Sequence, residues 1–356
     1  MRRTPRKKPR RLEPPSLPVV RMTTPAQVVA SLPVSLGYTP TESLVVVCCH
    51  EPRGRMGLTV RVDLPPYGLE EGTVDFLVDT VRGQDATRVV MVIYTDEPDG
   101  ELKPRAALME DLLDAFDDLV VTEALLVRGG RFWSYACERE ECCPAAGRPI
   151  DEAAESAAVQ VLRLEHARLG DAQLGSREEL EATIAPPTFL AAEAALQLLD
   201  AAGERYADAV LELGAAAARA DAVAAWRDAL RACEDPRWQL PDLVAAELSA
   251  SLHDKHVRDG VAALWEDEQR DLRRLLAAVA RRTPPPYDAP VCTTLAWVTY
   301  CEGGGSLTSI ALERALTTDP DYAMAQLLRH ALTNAMPPEF VRDITRRTRQ
   351  ALEDAA

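Results

Sequence analysis

The chain has 356 residues, 47% apolar and only 5% aromatic, with a net charge of −16. That length exceeds the roughly 250–300 residues at which one hydrophobic core usually stops growing, so two folded units are expected. Residues 1–21 carry eight basic side chains and one acid, a net of +7, which leaves −23 on the rest and sets the body of the chain against nucleic-acid phosphates and anionic membrane surfaces.

The first segment, Met1–Arg21, interleaves its basic residues with Pro5, Pro9, Pro14, Pro15 and Pro18. It buries too little apolar surface to fold and reads as a disordered basic arm, a solvated extension first and a weak nucleic-acid or partner-binding tail as the alternative. Arg2-Arg3 is not followed by an apolar stretch, so no export signal is read. The longest apolar runs, residues 44–49 and 89–94, fall far short of the ~18 residues that suggest a membrane span. A cytoplasmic location is expected, and there the eight cysteines are thiols or metal ligands before they are disulfides.

Next, Leu44–Cys49 and Gly57–Leu64 read as two strands joined by a polar turn with Pro52, Arg53 and Gly54, a hairpin. Thr73–Arg82 has helical spacing, with Val74, Leu77, Val78 and Val81 on one face, and Arg88–Tyr94 is a buried strand. Pro104 opens a second helix running to Leu119, Glu123–Val127 is a further strand, and Phe132–Ala136 is its hairpin partner across Gly129-Gly130. This alternation predicts an α/β layer with a mixed sheet over residues 22–150.

From Asp151 the period changes to helical. Val159, Leu162, His166 and Leu169 form one stripe, Tyr206, Val210, Leu213 and Ala217 another, and Val223, Trp226, Leu230 and Cys233 a third. A longer stripe runs from Val261 through Leu264, Trp265, Leu272, Leu275 and Leu276 to Val279. Residues 151–356 therefore read as an all-α domain, with a seam expected at 283–290 around Pro284-Pro285-Pro286. Residues 311–325 look like the junction of two tetratricopeptide helices, but no steady repeat period supports a solenoid, so a local helical hairpin is expected.

Six phrases occur in a telling order: Leu32-Pro33 with Leu36-Gly37-Tyr38-Thr39-Pro40, Ser43–Val47, Arg61–Pro65, Trp133–Cys137 through Pro144 and Gly147, Ser176–Leu180, and Ala311–Ala325. Together they resemble the bacterial, mainly actinobacterial, domain of unknown function 4192 family, over Thr23 to about Val341 and without the basic arm. The resemblance implies a cytoplasmic location and the two-part layout, and brings no catalytic assignment.

The most chemically loaded stretch is 131–143, with Cys137, Cys142 and Cys143 as metal candidates. Zinc is the cofactor considered, yet Cys137 and Cys142 leave four residues between them, the long end of the usual spacing, and adjacent cysteines rarely both reach one ion, so structural thiols are the expected reading, with metal binding and redox switching as the alternatives. A fourth ligand would come from Cys48, Cys49 or His50. Arg61 and Asp63 share a strand face and, with Arg131, Ser134 and Tyr135, form the candidate lining of a small-ligand site. His253 and His256 lie three apart on an expected solvated helix face. No Walker loop, nucleophile elbow or zinc-protease histidine pair is present.

Two functions follow. In the first the acidic helical half makes the protein a protein-binding or adaptor module; in the second a pocket where the strand ends meet the 131–143 hairpin makes it a ligand sensor or enzyme.

Overall fold

The structure, a computed structural model, describes residues 20–51, 54–66, 68–97, 103–168, 173–235 and 237–354. Residues 1–19 of the expected basic arm lie outside them. Six strands form one sheet: β1 (Ser43–His50), β2 (Arg55–Asp63), β3 (Arg88–Tyr94), β4 (Val120–Arg128), β5 (Arg131–Ser134) and β6 (Arg148–Pro149). Their order is β2-β1-β3-β4-β5-β6, and β3·β4 is the one parallel pair.

The unbroken apolar runs of β1 and β3 have a simple cause: both faces of these strands are covered. Leu44, Val46 and Cys48 with Val89, Met91 and Ile93 face α2 (Thr73–Arg82) and α3 (Ala106–Ala115). Val45, Val47 and Cys49 with Val90, Val92 and Tyr94 face α1 (Pro25–Leu36). Each such side chain contributes about 1.5–3 kcal/mol when fully buried. The helix α3 supplies the crossover that parallel β3 and β4 require.

The two hairpins, α2 and β3 stand where the sequence places them, while α3 is shorter than expected, starting at Ala106 and ending at Ala115. The helix α1 was not expected. Thr24 caps it by accepting from the Gln27 N–H and Pro25 follows at its first turn, but Pro33 inside the helix hides the Val28, Leu32, Leu36 spacing.

The chain does not leave the sheet at Asp151. The helices α4 (Asp151–Ala154) and α5 (Ala157–Arg168) pack on α1, and Leu174 bridges the segment after α1, its N–H donating to Gly37 O (2.9 Å) and its carbonyl accepting from Thr39 N–H (3.1 Å). These segments complete the third layer. The helix α6 (Arg177–Ala182), capped by Ser176, then turns the chain towards the helical half.

That half contains α7 (Phe189–Leu213), α8 (Ala215–Cys233), α9 (Asp242–Ser251), α10 (Lys255–Ala263), α11 (Trp265–Ala280), α12 (Asp288–Glu302), α13 (Gly305–Thr318), α14 (Ala323–Thr333) and α15 (Pro338–Asp354). Among the described residues no strand occurs after β6, so a mixed α/β layer is followed by a helix-rich C-terminal half. The helix α12 is apolar or small on every face and buried nearly all round, which makes it the central helix. The stripe expected across 261–279 breaks at Leu264 into α10 and α11, and Gly214 divides the Tyr206–Ala217 stripe between α7 and α8. Residues 311–325 do form a helical hairpin, α13 against α14. Around Pro284-Pro285-Pro286 one core runs on without a break, from Val279 and Ala280 to Ala289 and Val291.

Both halves meet around α6. Leu180 packs against the sheet core and the helical core at once. Arg177 donates to Glu313 of α13 (2.7 Å), and Gln84 Nε2, at the end of α2, donates to Ala335 O (3.1 Å). Arg314 is the main polar anchor: Nε donates to Asp288 Oδ2 (2.8 Å), Nη2 to Thr283 O (2.6 Å) and Nη1 to Ile184 O. Asp288 is fully buried. Removing its cation therefore strands a buried carboxylate and frees two chain segments. Arg314→Ala is expected to cost about 3–5 kcal/mol in equilibrium urea unfolding, and a loss below about 1 kcal/mol would show that the contact is dispensable.

Candidate functional site

In an open α/β sheet the carboxyl ends of parallel strands leave a gap that the covering helices do not fill. Here that gap lies beyond Tyr94 of β3 and Val127 of β4, on the α1 side of the sheet. A cleft of about 380 Å³ opens there, walled by α1, Tyr94 and Thr95, the Arg128–Gly130 turn, Asp151 and Arg163 of α5. This volume suits a small metabolite.

The polar groups of the cleft are unusual. Tyr94 is 4% exposed, and its buried hydroxyl has no hydrogen-bond partner. Burial pushes its pKa well up, so it is a neutral donor. Arg163 holds a buried Nε that also lacks an acceptor, while its Nη1 reaches Ala154 O only at 3.5 Å. A buried donor left unpaired costs about 1–3 kcal/mol, so such groups are rare away from sites that something else completes. Asp96 and Asp151 supply carboxylates to the same cleft. Arg128 sends Nη1 to Glu97 O (3.3 Å) and stacks over Trp133, 5.3 Å from the ring centroid.

A shallower cavity of about 490 Å³ adjoins it and shares Asp96; Glu42, Asp63, Glu97 and Arg105 line it. The Glu42 carboxylate accepts from Thr95 Oγ1 (3.0 Å) and the Asp96 N–H (2.6 Å), pinning the start of β1 to the end of β3. Arg105 ion-pairs with Glu97 and donates to Pro66 O (3.0 Å). Both Glu42 (φ 37°) and Arg105 (φ 63°) hold left-handed backbone, strain of a kind that gathers at functional sites.

The residues singled out from sequence are distributed differently. Arg61 and Asp63 do share a face and form an ion pair (2.7 Å), with Arg61 Nε also donating to Ser43 Oγ (2.8 Å). Of the five candidate lining residues, Asp63 reaches a cavity, the shallower one. Arg131 clamps the loop after β5 through Ala146 O (2.6 Å) and Gly147 O (2.8 Å). Ser134 ends β5 opposite Leu125, and Tyr135 donates its hydroxyl to Pro104 O (2.7 Å). The structure does not bring these five together. Tyr94 and Arg163 were missed because each looks ordinary in sequence, one ending an apolar strand and the other on a helix face; only the α1–α5 packing joins them.

The three cysteines do converge. The Sγ atoms of Cys137, Cys142 and Cys143 all lie within 4.8 Å of one another, with Cys137 and Cys142 in contact at 3.1 Å. The hydrogen bond from Cys142 brings the Cys137 thiol down to about 7, whereas burial foremost pushes Cys143 up to about 11. Cys48 and Cys49 are buried in β1, and β3 and β4 separate that strand from β5, so they do not join the cluster. His50 lies against Gly57, where an added Cβ would sit 2.3 Å from its Nε2. His253 stacks edge-on to Tyr287 while His256 bonds Asp254, so these two histidines form no pair. Among the described residues no helix is long and apolar enough to cross a membrane.

The unpaired Tyr94 hydroxyl gives a direct check. In ligand-free protein Tyr94→Phe removes an uncompensated polar group, so urea unfolding should show unchanged stability or a gain of about 1 kcal/mol. A loss greater than about 1 kcal/mol would mean that the hydroxyl is already satisfied within the protein.

No curated protein and no solved structure matches the chain. The family described as Domain of unknown function (DUF4192) matches residues 25–339, from the first residue of α1 into α15 and so across both the sheet and the helical half, and the chain belongs to that family.

Proposed function

We propose that the protein is a small-ligand-binding module whose site is the cleft at the carboxyl ends of β3 and β4. One observation carries the reading: two of the residues that line a metabolite-sized cleft, Tyr94 and Arg163, each hold a buried donor, Oη and Nε, without an acceptor of its own. An acceptor-rich group such as a carboxylate or phosphate satisfies both. Asp96 and Asp151 in the same cleft favour a ligand that also carries donors or positive charge. No His or Cys is among the described lining residues, so binding is a better match than thiol- or imidazole-based catalysis.

A second reading, a protein-binding or adaptor module, has an observation of its own. Phe189, Leu190 and Leu211 of α7 are 89%, 79% and 83% exposed. Large apolar side chains so open to water are what a docked helix or loop would cover.

Native mass spectrometry of the protein as purified from its own cells separates the two. The ligand reading expects a retained small mass that disappears in Tyr94→Phe/Arg163→Met while the circular dichroism spectrum is unchanged. A spectrum with a second polypeptide and no small ligand would replace it with the adaptor reading. Bare wild-type chain, indistinguishable from the variant, would count against the cleft as a site.

A further inference from the structure

The loop from Tyr135 to Gly147 is fastened at its base and unsupported at its tip. At the base, Tyr135 N–H donates to Ala124 O (2.8 Å), Trp133 Nε1 to Ala145 O (3.0 Å), and Arg131 holds the carbonyls of Ala146 and Gly147. Gly147 lies flat on the Trp133 ring, where a Cβ would stand 2.4 Å from Cε2. Lys103 Nζ reaches the Tyr135 and Cys137 carbonyls at 3.4 Å. Yet none of residues 136–146 is buried. With no fully buried side chain at the tip, little burial offsets the entropy of ordering it, roughly 1–2 kcal/mol per residue for the backbone alone.

Inside this loop the three thiols converge. The sequence objection was that adjacent cysteines rarely reach one ion. The backbone answers it: the N–H groups of both Cys142 and Cys143 turn onto Arg139 O (3.1 and 2.7 Å), and this tight turn leaves both Sγ atoms within 4.8 Å of Cys137 Sγ. In a tetrahedral site with Zn–S near 2.3 Å, neighbouring sulfurs are about 3.8 Å apart, well within that spread. A disulfide would need Cys137 and Cys142 to close to about 2.0 Å, and it would leave the convergence of Cys143 without a purpose.

We propose that Cys137, Cys142 and Cys143 bind one thiophilic divalent ion, zinc in the cell, as three thiolates with the fourth position open to solvent. The ion supplies the cross-link the tip lacks. Binding releases the thiol protons, and soft sulfur ligands select zinc over magnesium or calcium. Its role is structural first, holding the tip of a loop that returns to β6 at the sheet edge. The open fourth position is the one place where the site meets an outside ligand.

The test is elemental analysis and native mass spectrometry of the full chain, purified under reductant and without a metal-binding tag. About one zinc per chain is expected, removed by dialysis against a chelator and restored by zinc chloride. Cys137→Ser and Cys142→Ser should each lower retained zinc about ten-fold or more. Cobalt(II) added to chelator-treated wild-type protein should give sulfur-to-cobalt charge-transfer absorption, a readout that does not depend on how any variant folds. Zinc far below one equivalent together with no cobalt–sulfur band overturns the proposal. So does an intact mass two hydrogens lower, with Cys137 and Cys142 joined in a peptide map.

Discussion

Everything in the N-terminal half follows from β1, β3 and β4 being apolar on both faces. A sheet of that kind has to be covered twice, and the chain provides the two covers in different ways. One comes from the connections themselves, α2 and α3, because β3 and β4 run parallel and a crossover must pass over a face. The other is assembled from sequence before and after the sheet: α1 ahead of β1, then α4, α5 and the Leu174 bridge behind β6. Helices that cover the faces leave the strand ends open. The cleft at Tyr94 and Arg128 is that opening, closed on one side by the added cover, which is why Arg163 of α5 and Tyr94 of β3 come to share it.

The same construction explains how the helical half is held. The segment that finishes the cover, α6, is also the first to touch the second core, through Leu180, and its Arg177 meets α13. Arg314 then fastens Ile184, just past α6, to the turn between α11 and α12. Buried ion pairs of this sort add little net stability compared with apolar residues of the same shape. What they do supply is position, since three differently oriented acceptors fix one guanidinium. The sheet and the helices thus share the 174–184 segment.

The extent to which this was legible in the sequence depended on the range of the signal. Strand pairs, α2 and the helix-rich half depend on local period and turn chemistry, and Leu44–Cys49, Thr73–Arg82 and Arg88–Tyr94 could be read directly. The helix α1 escaped because Pro33 interrupts its pattern, although Thr24-Pro25 marks its start and Val29, Leu32 and Leu36 its buried face. The return of residues 151–180 to the sheet was invisible, because helical spacing says nothing about which surface a helix will cover. The shared face of Arg61 and Asp63 follows from strand alternation and is present as an ion pair. Tyr94 and Arg163 are 69 positions apart and meet only through tertiary packing. Convergence of Cys137, Cys142 and Cys143 needed the turn at Arg139, which spacing alone did not show.

The central claim is that covering both faces of this sheet leaves a cleft completed by a ligand. A high-resolution crystal structure of the protein as purified tests it most directly. The account predicts density for a small molecule whose acceptor atoms lie about 2.7–3.2 Å from Tyr94 Oη and Arg163 Nε. A cleft filled by the protein's own side chains, with Tyr94 Oη bonded to a protein acceptor, would contradict it.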